Sequence, residues 1–117
     1  MRALLLALLL LATGCGAGET RVDALHAFVR RSGPTADTLR VERGADSLAV
    51  AVDLRVAVGR ATWTLRGPDG QVAWAGAVTE GDTAATWTAA APAPGDWRLE
   101  LRPERAVGTF EAQGRAW

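Results

Sequence analysis

The 117-residue chain has no lysine, tyrosine, isoleucine or asparagine, and a single cysteine, a single histidine and a single methionine. Each gap removes a kind of chemistry. Without lysine there is no Schiff-base amine, and without tyrosine no phenolic acid or base. One thiol has no internal disulfide partner. One histidine and one cysteine cannot furnish the nitrogen and sulfur ligands of a zinc or copper site. Charge is balanced, with 13 arginines against 13 acidic residues. That balance leaves no electrostatic footprint for nucleic acid and no polybasic membrane patch. No apolar run reaches the roughly 20 residues that a membrane-spanning helix needs. The missing residue types, beside abundant alanine, glycine and arginine, look like the codon bias of a GC-rich genome. Arginine or alanine at a given position therefore carries little functional weight by itself.

What is present is most specific at the start. Met1 to Cys15 reads MRALLLALLLLATGC: one arginine, an apolar run from Ala3 to Ala12, small residues, then the only cysteine. The run has the length of an export-signal core, about 7–15 residues. Leu11-Ala12-Thr13-Gly14-Cys15 resembles the lipobox of bacterial lipoproteins. The resemblance implies a diacylglyceryl group on the Cys15 thiol, cleavage just before Cys15, and acylation (palmitate-type) of the new amino terminus. Several acyl chains on one residue would anchor stably, since each buried CH₂ contributes about 0.8 kcal/mol. Gly16, in a place where inner-membrane lipoproteins of Gram-negative cells commonly carry Asp, points to the outer membrane. The competing readings are an ordinary secretory signal cut near Gly16 or Ala17, and an uncleaved tail. The expected organisation is a signal peptide over residues 1–14, a tether over 15–20 and one domain over 21–117.

Arg21 to Arg31 fits either a short amphipathic helix, through Val22, Leu25, Phe28 and Val29, or a first strand. Ser32-Gly33-Pro34 then breaks the chain. From Thr38 the sequence alternates as antiparallel β-structure with one buried face. Leu48, Val50, Val52, Leu54, Val56 and Val58 occupy every even position. At Gly59-Arg60 the parity flips to Ala61, Trp63 and Leu65. A two-residue hairpin pairing Val58 with Ala61, Val56 with Trp63 and Leu54 with Leu65 would produce that flip. So would a β-bulge in one continuous strand that bends between sheets. Gly67-Pro68-Asp69-Gly70 is a turn. A four-residue loop there would set Leu65 against Val72, both inward, and Trp63 against Trp74. Glu80-Gly81-Asp82 and Pro103-Glu104-Arg105 mark further turns, and Val107 to Ala112 a last strand. About seven short strands with turns every 8–12 residues predict an all-β antiparallel sandwich, jelly-roll or immunoglobulin-like.

Two segments, Trp63 to Trp74 around Pro68-Asp69-Gly70 and Ala91 to Leu101 around Pro94-Gly95-Asp96-Trp97, resemble bacterial pre-peptidase C-terminal-type sandwiches. The resemblance implies a jelly-roll or immunoglobulin-like sandwich and an exported accessory or interaction domain.

Few residues can carry chemistry. A hydrolytic triad would have to combine His26 with Ser32 or Ser47 and an aspartate, and no nucleophile motif supports one. No catalytic residue, metal site or cofactor is expected. Asp69, Asp82 and Asp96 would approach one another around Ca²⁺ only if their turns share one end of the sandwich. Aspartate is, however, an ordinary turn residue. Trp63, Trp74, Trp87 and Trp97 each share a face with aliphatic neighbours and read as core. Trp117 falls outside the pattern and is the candidate ligand platform. The expectation is a lipid-anchored, non-catalytic interaction or assembly module of the cell envelope. It would be joined to the membrane at Cys15 and to an envelope protein partner, and would not bind nucleic acid. The alternative is a carbohydrate-binding module using exposed tryptophans.

Overall fold

The computed structural model describes residues 19–31 and 33–117. The expected signal peptide, the Cys15 anchor and Ser32 lie outside them. The described chain is all β, without a helix. Its strands are β1 (Thr20–Arg31), β2 (Thr35–Val41), β3 (Ser47–Arg66), β4 (Val72–Ala90) and β5 (Gly95–Ala116). Arg21 to Arg31 is thus strand, and residues 107–112 belong to β5. The number of strands is five rather than about seven, because three expected turns are bends inside strands. β3 bends at Gly59 (φ 84°), β4 at Glu80 (φ 42°) and β5 at Arg105 (φ 48°). At these points the ladders shift register, as at β-bulges.

The hairpin expected at Gly59-Arg60 does not form. Val56 pairs with Gly81 and Gly108, and Trp63 with Gly76 and Leu101, so β3 is one bent strand. Arg60 pairs with Thr79 on one side and Glu104 on the other, which puts the three bends on one line across the sheet. The sheet order is β1-β5-β3-β4, with β2 also on β5. Folding along the bend line gives two layers. The first holds β1, residues 106–116 of β5, residues 47–58 of β3 and residues 81–90 of β4. The second holds β2, residues 95–104 of β5, residues 60–66 of β3 and residues 72–79 of β4.

The layers close over one apolar core. Phe110, Leu48 and Leu54 from the first and Leu65 and Leu101 from the second are almost wholly buried. Burying such side chains stabilises by roughly 1.5–3 kcal/mol each. Contacts join the layers directly: the Trp87 and Trp97 ring centroids are 5.7 Å apart. The β3–β4 turn differs from its expected form. Arg66 pairs with Val72, and an extra residue, Ala73, precedes the Leu65–Trp74 pair. Val72 therefore points outward and is exposed. Trp63 lies opposite Gly76, and it meets the Trp74 ring edge-on at 5.5 Å rather than as a directly opposed pair.

β1 and β2 both ladder to β5 and leave a seam between them. His26 Nε2 and Asp37 Oδ2, 2.8 Å apart, latch that seam. A cavity of about 30 Å³ opens beside it, lined by Val22, Leu39, Trp97 and Ala112 among others. At one end of the sandwich Ala91 N–H donates to Asp46 O (2.8 Å), and Asp46 and Ser47 N–H both donate to Trp117 O. The bends occupy the other end.

Candidate binding face

The outward face of the first layer carries two adjoining depressions. Its side chains stand in cross-strand rows set by the ladders. Arg21, Arg115, Ala49 and Thr88 form the first row, and Asp23, Gln113, Ala51 and Thr86 the second. Leu25, Glu111, Asp53 and Ala84 form the third, and Ala27, Thr109, Arg55 and Asp82 the fourth. Small side chains, Ala49 and Ala51 of β3 with Ala84 and Thr86 of the edge strand β4, leave a trough. It consists of two contiguous depressions of about 360 and 450 Å³ that share Ala51, Thr86 and Gln113.

The trough is graded along its length. At the basic end Glu19 accepts from Arg115 Nε (2.9 Å) and Arg21 (3.2 Å). Trp117 extends this end. Its backbone is held by Ser47 N–H and C=O, the residue is 38% exposed, and the Arg115 guanidinium lies over its ring at 4.5 Å. That placement suits a cation–π contact. In the middle, Asp53 and Glu111 stand directly opposite each other. Like charges there repel, and Arg55 Nε at 3.7 Å from Asp53 offsets part of that repulsion. At the bend end the row is apolar: Val29, Val107 and Val58 lie side by side, with Val29 70% and Val58 54% exposed. Such a surface offers donors, acceptors and an apolar rim to an extended or protein ligand.

Other candidates separate. His26 is paired with Asp37, but Ser47 is on a different face and at a different level. His26 is level with Phe110 and Leu54, and Ser47 lies seven residues along β3, roughly 23 Å away at about 3.3 Å per residue. Asp69 and Asp96 sit at the Trp117 end, whereas Asp82 pairs with Arg55 near the bend. Asp69 accepts Gln71 N–H (3.0 Å) and Asp96 accepts from Arg40 (3.3 Å), so each is a local structural group. No group of three metal-ligating side chains occurs among the described residues. Trp63 and Trp97 are buried, and Trp74 and Trp87 are half-buried against the core. The trough itself has no sequence motif: outward alanine and threonine look the same on a flat face as on a concave one.

No family model matches the sequence, and no curated protein does. Several solved structures do match. The pre-peptidase C-terminal domain of a Bacillus anthracis collagenase superposes with a TM-score of 0.58 at 18% identity, covering 80% of this chain and 88% of that one. PliG, a periplasmic inhibitor of g-type lysozyme from Aeromonas hydrophila, gives 0.54 at 13% identity over 86% and 89%. A protein of the disulfide-linked pili of Bacillus endospore appendages gives 0.51 at 13% identity over 86% of each chain. These likenesses, with the bent five-stranded topology, establish the fold of this chain as an antiparallel β-sandwich similar to the pre-peptidase C-terminal domain.

Proposed function

We propose that the protein is a non-catalytic interaction module of the cell envelope, tethered through lipid on Cys15, whose trough docks an envelope protein. The trough carries the reading: it combines paired arginines, opposed carboxylates, a central glutamine and an apolar rim on one hydrogen-bonded layer. Side chains presented from paired strands limit the ordering cost of binding. Among the described residues, Ser47, one of the two serines considered for a triad, stands far from the His26–Asp37 pair. The tether is supported by the sequence of residues 1–15. A tether there enters the domain at Thr20, which pairs with Ala116 beside the basic end of the trough. One protein of similar fold is a periplasmic lysozyme inhibitor, so the architecture is compatible with an envelope role.

Two measurements test the parts separately. Intact mass of the protein extracted from its membrane should show loss of residues 1–14 and acyl mass on Cys15, absent in Cys15→Ser. A bare chain cut elsewhere would refute the tether. A photo-crosslinking side chain at Thr86 should capture one discrete envelope protein in cells, while the same group at Thr62, on the opposite layer, should not. Equal capture from both positions, or none from Thr86, would refute docking in the trough. The carbohydrate reading retains a single surface ring, Trp117. It would be favoured by saturable quenching of Trp117 fluorescence by oligosaccharide.

A further inference from the structure

We infer that residues Val72–Thr79 of β4 form a self-pairing edge, through which a second copy of this chain adds to the second layer as an antiparallel neighbour. Among the described residues β4 is hydrogen-bonded on one side only, to β3. Its other side presents unpaired backbone donors and acceptors, the condition that invites strand addition. The sandwich has other edges, and they differ in chemistry. β1 carries Arg21 and Asp23, β2 carries Asp37 and Arg40, and the far part of β4 carries Asp82. Val72–Thr79, VAWAGAVT, has no charge and no proline, two of the usual guards against edge pairing, and its bulge at Ala73 leaves Trp74–Thr79 in regular register. Glu80, at the bend, ends the unguarded stretch.

The occupant follows from register. Paired residues in an antiparallel ladder share a face, so a two-fold axis normal to the sheet must place one residue opposite itself. With Gly76 on the axis, Ala75 meets Ala77 of the second copy on the outer face. Trp74 meets Val78 on the inner face, and Glu80 falls opposite Val72, so no like charges oppose. Trp74 and Val78 are half-buried in the single chain, packed against the core with one flank open at the edge. The pairing covers both flanks. Gly76 suits the axis because the Trp63 ring already fills the space where its side chain would stand.

The test is sedimentation of the full chain in density-matched detergent. The wild type should sediment as a dimer. A75K/A77K, which sets lysines against lysines on the outer face, should sediment as a monomer while keeping the tryptophan-dominated near-ultraviolet circular dichroism. Mixing it with A75E/A77E should restore a dimer containing one copy of each, which shows that the loss came from the interface and not from unfolding. A monomeric wild type, a dimer that survives A75K/A77K, or failure of the mixture to re-form would each overturn the inference.

Discussion

Gly76 is bare because Trp63 occupies its side-chain position. A Cβ there would overlap the indole, so Gly76→Val should destabilise the fold by about 1–3 kcal/mol through overpacking. Urea unfolding would read the loss, and Ala75→Val, one residue away on the outer face, should cost far less. The His26–Asp37 latch is a second single-residue case. Both side chains are about a quarter exposed, at 29% and 25%, so the pair is worth little more than an ordinary hydrogen bond. Asp37→Ala and His26→Ala should each cost about 1 kcal/mol. The double variant should cost no more than either alone, a coupling that a double-mutant cycle in urea would measure. Sequence alternation alone assigned Trp63 and Trp97 to the core. It also set Trp74 towards the core, where it packs, but gave it the wrong partner: Gln71 joins the loop and Ala73 bulges, a two-residue shift that leaves the inward parity of Trp74 unchanged.

Bends, not turns, set the architecture of the elements. Gly59 takes a positive φ without a steric penalty, but Glu80 and Arg105 do so against their side chains. Glu80→Gly should therefore raise the midpoint of chemical denaturation, by up to about 1 kcal/mol in stability. Glu80→Val should lower it, since a β-branched side chain tolerates that conformation worst. The parity flip at Gly59 was visible in the sequence, and its cause was not. A hairpin and a bulge shift the inward face in the same way. What decides between them is whether the neighbours bend at the same level, and the neighbours of Arg60 are Thr79 and Glu104, each more than 15 residues away along the chain. The two-layer sandwich was readable from local alternation, whereas the strand count depended on contacts between distant segments.

At the scale of the molecule, the sandwich keeps four of its five tryptophans inside or against the core. Acrylamide should therefore quench a minor, accessible component of the fluorescence, and Trp117→Phe should remove most of that component. Equal accessibility of several rings would contradict this packing. The trough escaped the sequence because concavity is a property of four neighbouring strands, and none of Ala49, Ala51, Ala84 or Thr86 is unusual in its own strand. Trp117 stood out only as a residue outside the alternation, and the structure gives it a place at the basic end of the trough.

Both β1 and β2 have one ladder partner, β5, and Thr20 lies opposite Ala116. The earliest described strands must therefore wait for the last one before either can hydrogen-bond into the sheet. Contacts of such long sequence separation slow folding. A chain emerging amino terminus first would hold β1 and β2 open until Gly95–Ala116 followed, and β3 and β4, joined by the tight Gly67–Gly70 turn, would form the one ladder available earlier. The fold is thus assembled from its middle outward and closed by its final strand. Such an order leaves β1 and β2 without their ladder until the whole chain is available.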